Sequence, residues 1–401
     1  MRTAKEVYQI YDQCKCSFYI YEEEIVKKQA ETLKQALPEF EFLYSVKCNP
    51  MEEILETVFT RGFGADAASV QEVKLAGEKG LSREKILFSA PGRSYEELRE
   101  VCEDALIIAD SFHELELLEK IAEEKGRVLE TGVRINPDYT MGGAKGVSSK
   151  FGMDEELIWE RRGFFDSLKH IQITGIHVHL QSQVLSADVL SAYYRKVAEL
   201  AVRCQKEMGW ELKFLNFGGG LGIPYGPQDS PLDLEEVLKG WKKLGEKIRK
   251  QLSARLILES GRFLVCQAGT YYTPIVDRKE SRGRKLLIVK NTLNGFLRPS
   301  MAEIVKDCRK DGEGFTCEPF YTGENAFDFR VVGKEGETEK ETVDIYGSLC
   351  TAADAMKKEA VLPKSEIGDL LAVTNAGSYG YSLSPLRFSS PKAVREFYWH
   401  G

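Results

Sequence analysis

The chain has 401 residues, of which 43% are hydrophobic, and a formal net charge of −7. It holds no run near the roughly 20 apolar residues of a membrane span, and Met1 to Ile20 lack the charged-then-apolar order of a secretory leader. The absence of a basic cluster speaks against nucleic acid as a partner, and nine scattered cysteines read as reduced thiols of a cytoplasmic protein.

In chain order, Ser17–Tyr21 reads as a strand and Glu22–Leu37 as a helix. A unit of short apolar strand and amphipathic helix then repeats. The predicted strands are Phe42–Lys47, Phe63–Ser69, Lys85–Ala90, Ala105–Asp110, Gly132–Asn136, Ile173–Leu180, Phe214–Gly220 and Arg255–Gly261. Capping boxes open several helices: Ser69 with Glu72, Ser94 with Glu97, Ser111 with Glu114. Eight such units predict an α/β fold, a parallel (β/α)8 barrel. After about residue 265 the pattern turns to strands and Gly-rich turns: Tyr271–Val276, Leu286–Lys290, Phe315–Tyr321, Asp328–Val332, Thr342–Tyr346, Asp369–Thr374 and Glu396–Trp399. These predict a C-terminal β-sandwich or β-barrel domain that also takes in the N-terminal strand. The expected domains are 22–263 for the barrel, and 1–21 with 264–401 for the β-domain.

Barrel enzymes place their chemistry at the C-terminal strand ends. Here those ends carry Lys47, Asp66, Ser69, Asp110, Arg134, Asn136, His179, Gly218, Gly219, Gly220 and Glu259. Lys47 ends a strand that Asn49-Pro50 breaks. Desolvation there lowers a lysine's pKa and frees a nucleophilic amine; the alternative is a side chain that snorkels to water. The triple glycine reads either as a phosphate loop or as a tight turn. His177 and His179 alternate on one strand, His177 as a structural histidine and His179 as a ligand contact. Five histidines and no carboxylate–histidine spacing leave no metal site. Glu259 either pairs with Arg262 or meets a cationic ligand group.

In order, Tyr44-Ser45-Val46-Lys47-Cys48-Asn49, Gly64 to Glu72, Ser149-Lys150-Phe151-Gly152, His177 to Gln183, Gly218-Gly219-Gly220, Glu259-Ser260-Gly261-Arg262, Cys350 to Asp354 and Gly377-Ser378-Tyr379 follow one another. This series resembles the fold-type III pyridoxal-phosphate decarboxylases, the group of diaminopimelate, ornithine and arginine decarboxylases. The resemblance implies a carboxy-lyase with pyridoxal 5′-phosphate, held as an internal aldimine on Lys47. It implies that His179 stacks on the ring and Glu259 protonates its nitrogen. Asp66 would lie in the cofactor site. Ser182, Gly218, Gly219, Gly220, Gly261, Arg262 and Tyr379 would surround the phosphate. Cys350 would reprotonate Cα from the partner of a homodimer, and Asp354 would pair with Lys150 of the other subunit.

The departures concern the substrate. Thr351 stands where diaminopimelate enzymes place an amine-binding glutamate, Ala302 replaces a tyrosine, and Gln181 replaces a glycine. Arg298 is retained as a partner for a distal carboxylate, and Thr351 and Tyr379 complete the expected substrate contacts. The look is that of specialised-pathway members of the siderophore and antibiotic type. The expected substrate is an amino acid with a distal carboxylate or a carboxylated conjugate. Alternatives are diaminopimelate itself, a basic amino acid such as lysine or ornithine, a racemase, or a non-catalytic homologue.

Overall fold

The computed structural model describes residues 2–249, 251, 253–308, 318–321, 323 and 325–401. It divides into a barrel unit, residues 27–223 with 230–261, and a sheet unit, residues 1–26 and 262–401 with the excursion 224–229.

Eight parallel strands close the barrel. They are Glu41–Ser45, Gly64–Ala67, Ile86–Phe88, Leu106–Ala109, Leu129–Asn136, Ile171–His177, Phe214–Asn216 and Arg255–Ser260, numbered here as barrel strands 1 to 8. Each pairs with its neighbours in sequence, and strand 8 closes onto strand 1 through Glu259 opposite Leu43. The alternation of strand and helix leaves this topology because each helix buries its apolar stripe on the sheet it has just left. All but the fifth strand end one to four residues earlier than their apolar runs predict. Lys47 therefore sits in a 3₁₀ turn, Val46–Cys48, and His179 lies past the end of strand 6, not on it.

Leu43, Leu87, Leu106, Ile108, Phe214 and Ile257 fill the barrel interior. The Phe214 ring demands glycine on two neighbouring strands. A Cβ on Gly175 would meet that ring at 2.2 Å, and one on Gly132 would meet it at 2.9 Å. Both positions lose side-chain packing so that one aromatic ring can fill the centre.

In the sheet unit the strand order is Phe329–Val331, Leu370–Val373, Gly269–Ser281, Arg284–Val289, Lys340–Tyr346 and Ala355–Pro363. The N-terminal strand Phe18–Glu22 joins this sheet, antiparallel to Gly269–Ser281 and parallel to Arg395–Trp399. A helix at Ala4–Cys14 packs Val7, Ile10 and Cys14 onto Phe18, Ile20, Tyr272 and Leu370. The expected strand Phe315–Tyr321 begins in residues outside the described set, and its remainder, Glu318–Tyr321, is turn and coil. No helix among the described residues is long and apolar enough to cross a membrane.

Candidate active site

Lys47 lies at the mouth of the barrel, its side chain 43% exposed, with Nζ 3.1 Å from Oδ2 of the buried Asp66. Burial opposes its charge, yet Asp66 and then Glu259 outweigh burial and raise its pKa. The expected lowering by desolvation is thus reversed: the lysine rests as an ammonium. Two further carboxyls complete the cluster. Burial and the charge of Asp66 push Glu72 up to about 7 and Glu259 up to about 7. Sequence reasoning saw Glu72 only as a helix cap. Ser69 Oγ does accept from the Glu72 N–H at 3.2 Å, but the Glu72 carboxylate turns to the Ala68 N–H at 2.7 Å. The spacing of Glu72 six residues after Asp66, on the first turn of the next helix, was the available signal.

Glu259, on strand 8, is 5% exposed. Asn216 Nδ2 donates to its Oε1 at 2.8 Å, and Asn216 Oδ1 accepts the Gly218 N–H at 2.8 Å. Within the barrel unit a nearby base is His177, with Nε2 3.3 Å from Oε1. The Gly219 N–H donates to Nδ1 of His179 at 2.9 Å. Two of the three glycine amides are therefore spent inside the barrel, and the Gly220 N–H makes no hydrogen bond among the described residues. The glycines are needed for close approach: a Cβ on Gly218 would lie 2.6 Å from the Val178 carbonyl oxygen and 2.7 Å from His179 Cβ. Ser182 and exposed Gln181 sit in the adjoining loop. Gln183 fastens that loop, its amide nitrogen donating to the Ile223 carbonyl at 2.5 Å and its oxygen accepting the Ile223 N–H at 3.2 Å.

The rest of the rim is structural. Arg93 and Glu114, both buried, form an ion pair at 2.6 Å, and Glu114 also accepts the N–H groups of Arg93 and Asp110. Arg93 donates onward to the carbonyls of Phe88 and Ile108, tying strands 3 and 4 together. Arg134 stands 3.7 Å from Asp110 and carries the Phe151 ring 4.4 Å from its guanidinium carbon. Asn136 is used by Val147 and Asp154, and Lys150 lies exposed, 4.8 Å from the Phe151 ring.

In the sheet unit, Tyr225 collects two arginines. Arg262 Nη1 hydrogen-bonds its hydroxyl oxygen, and Arg298 Nη2 donates to it at 2.8 Å. Cys266 Sγ lies 3.6 Å from the same oxygen and 3.4 Å from the Asn375 carbonyl oxygen. Arg262 also pairs with Glu318 at 2.5 Å; against its burial, Arg262 and Tyr379 hold that carboxyl below its usual range. Arg298 is fully buried, and its other terminal nitrogen donates to the Ser378 carbonyl at 3.0 Å. Both terminal nitrogens are thus engaged by the protein, while its Nε makes no hydrogen bond among the described residues. Tyr379 adopts a φ of +50° and lies 5.3 Å from the Arg262 guanidinium carbon.

Cys350 and Thr351 lie in the bend between Lys340–Tyr346 and Ala355–Pro363, and the Cys350 thiol is free and exposed. Asp354 anchors this bend: buried, it bonds Thr292 Oγ1 and accepts the N–H groups of Leu349 at 2.8 Å and Leu293 at 3.3 Å. An ion pair with a second subunit's lysine would have to compete with these donors. Ala302 lies on the helix Leu297–Cys308.

Residues 23–266 match the family model of the pyridoxal-dependent decarboxylase pyridoxal binding domain. The chain is 30% identical over 380 residues to the L-glutamyl-[BtrI acyl-carrier protein] decarboxylase of Niallia circulans, covering 92% of this chain and 86% of that protein. It is 28% identical over 391 residues to the diaminopimelate decarboxylase of Aquifex aeolicus, covering 94% and 85%. The structure of Helicobacter pylori diaminopimelate decarboxylase complexed with L-lysine superposes with a TM-score of 0.83 at 25% identity, covering 98% of this chain and 94% of that one.

Proposed function

Since the chain belongs to the pyridoxal-dependent decarboxylase family, we propose that it removes the α-carboxylate of an amino acid whose distal end is conjugated. The family makes it an enzyme using pyridoxal phosphate, and the barrel cluster suits that group. Glu72 and Glu259 are pushed up to about 7 beside Asp66, and Lys47 is the cation pairing with the cluster. A cationic ring nitrogen beside Glu259 would relieve that excess of negative charge.

When bound, pyridoxal phosphate supplies a conjugated ring that takes up the electron pair left at Cα as CO2 departs. Lys47 is the proposed attachment point. Its ammonium must first lose a proton, and Asp66 Oδ2, at 3.1 Å, is the acceptor at hand. Glu259 holds negative charge for the ring nitrogen, and His179 offers its ring face. The Gly220 N–H, Ser182, Gly261 and Tyr379 are the proposed phosphate ligands, joined by Arg262 through its Nε, since its terminal nitrogens are held by Tyr225 and Glu318. Cys350 Sγ is the proposed proton donor to Cα, serving a second copy of the chain in a homodimer. Lys47→Ala should abolish both cofactor attachment and turnover. Cys350→Ala should keep the cofactor and lose most turnover or misprotonate the product.

One observation carries the choice of substrate. Arg298 is buried with both terminal nitrogens held by Tyr225 and Ser378, leaving only Nε, which disfavours a bidentate grip on a free distal carboxylate. A distal end masked by conjugation needs no such arginine. This agrees with Thr351 in place of an amine-binding glutamate, and with a relative whose name gives a carrier-bound glutamyl group as substrate. The second reading, diaminopimelate decarboxylase proper, is supported by the 28% identical relative. A kinetic screen of meso-diaminopimelate, lysine, ornithine, free glutamate and a glutamyl pantetheine thioester separates them. The thioester should be the best substrate; efficient turnover of meso-diaminopimelate would sink the proposal.

A further inference from the structure

His177 and Ser89 take no part in the roles given above, yet they stand against the residue on which the electron sink depends. His177 ends barrel strand 6 and is 2% exposed. Its Nδ1 lies 3.3 Å from Ser89 Oγ, at the end of strand 3. Its Nε2 lies 3.3 Å from Glu259 Oε1, at an angle outside hydrogen bonding, and makes no other hydrogen bond among the described residues. A buried ring nitrogen left in that state costs free energy, and one carboxylate oxygen is within reach of a small rotation.

The charges around the ring fix its form. Burial, then Arg134, His179 and Lys47, lower the His177 pKa well below its ordinary value, so the imidazole is neutral. A neutral imidazole has one N–H, assigned here from its contacts. With the Ser89 hydroxyl donating to Nδ1, the proton belongs on Nε2, and Glu259 Oε1 is its only acceptor in reach among the described residues. Oε1 already accepts from Asn216 Nδ2 at 2.8 Å, whereas Oε2 makes no hydrogen bond among the described residues.

We propose that His177 is a positioning residue that, together with Asn216, fixes one oxygen of Glu259 with neutral donors and leaves the other oxygen for the cofactor's ring nitrogen. Two donors on one oxygen offset the repulsion from Asp66 without adding a cation that would compete with the ring. The proposal rests on the reading of Glu259 as the ring-nitrogen partner.

The test is equilibrium binding to cofactor-free protein, followed by absorbance, of pyridoxal phosphate and of its 1-deaza analogue, which has carbon in place of the ring nitrogen. Wild type should prefer pyridoxal phosphate. His177→Leu should lose about tenfold in affinity for pyridoxal phosphate, the scale of one hydrogen bond to a charged group, and less than twofold for the analogue. His177→Gln, which keeps an N–H donor, should restore most of the preference, and Ser89→Ala should lose part of it. Equal losses for both ligands, or none, in His177→Leu overturn the proposal. If that variant does not fold, a His177→Gln or Ser89→Ala protein that loses affinity equally for both ligands does the same. A wild type that binds the two ligands equally instead overturns the reading of Glu259.

Discussion

Lys47 Nζ stands 3.1 Å from Asp66 Oδ2, and this pairing raises the amine's pKa although burial opposes it. Attachment of a carbonyl to Lys47 therefore has to begin with removal of a proton that Asp66 stabilises. Asp66→Asn removes the strongest favourable charge on the ammonium. The pH at which the cofactor attaches, followed by absorbance, should move downward in Asp66→Asn. An unchanged or higher pH midpoint would show that Asp66 does not govern the lysine.

Glu72 and Glu259 make the cofactor-free protein sensitive to pH. Both have folded pKa values near 7, above the ordinary 4.5. Groups shifted in this direction favour the folded state when protonated, so their contribution is full below about pH 4.5 and is lost as pH rises through about 7. Thermal unfolding of cofactor-free Glu72→Gln should show a shallower loss of Tm between pH 5 and 8 than wild type, a range chosen to bracket the shift to about 7.

The Arg93–Glu114 pair is buried on both sides and has no water to fall back on. Arg93→Met leaves an unpaired buried carboxylate and should cost about 3–5 kcal/mol in urea unfolding. The double variant Arg93→Met, Glu114→Gln should recover part of that loss. Equal losses for single and double variants would show that the pair is not coupled.

Gly175→Ala places a Cβ 2.2 Å from the Phe214 ring and should destabilise the barrel by about 1–3 kcal/mol. Phe214→Leu in the same chain should relieve the clash. A stable Gly175→Ala protein with unchanged unfolding would mean that the ring has room to move.

Mixing Lys47→Ala with Cys350→Ala tests the proposed shared site. If the cysteine serves the other copy, a mixed dimer regains one intact set of groups. Activity should reappear on mixing after subunit exchange; two inactive proteins that stay inactive when exchanged would place the cysteine elsewhere.

The eight barrel strands were legible because each carries a compact apolar run, and several are followed by helices opened by a serine cap, Ser69, Ser94 and Ser111 among them. Their ends were less so: the runs through Val46 and Val178 stay apolar after the sheet pairing has stopped, so residues such as His179 moved from strand to loop. In the sheet unit, Ala355–Pro363 was missed because its middle, Lys357-Lys358-Glu359, is polar and partly exposed, with only alternate neighbours buried. The helix Leu297–Cys308 was hidden by Pro299, which reads as a breaker but is tolerated in a helix's first turn. At the site, the residue types were readable and their pairings were not. Glu259 next to Arg262 in sequence suggested a pair, but strand geometry gave Glu259 to Asn216 and His177. Long-range contacts of that kind depend on which strands become neighbours.

The contacts of Tyr225 also set a direction. Its oxygen already accepts from Arg262 and Arg298, so its single proton has to point elsewhere. The Asn375 carbonyl near Cys266 can only accept, so the thiol proton goes there, and the tyrosine proton goes to the sulfur. Two guanidiniums, a phenol, a thiol and a carbonyl thus form a polar file in which every proton points the same way. Removing the sulfur with Cys266→Ala would strand the phenol proton and loosen both arginines at once, although Cys266 touches neither.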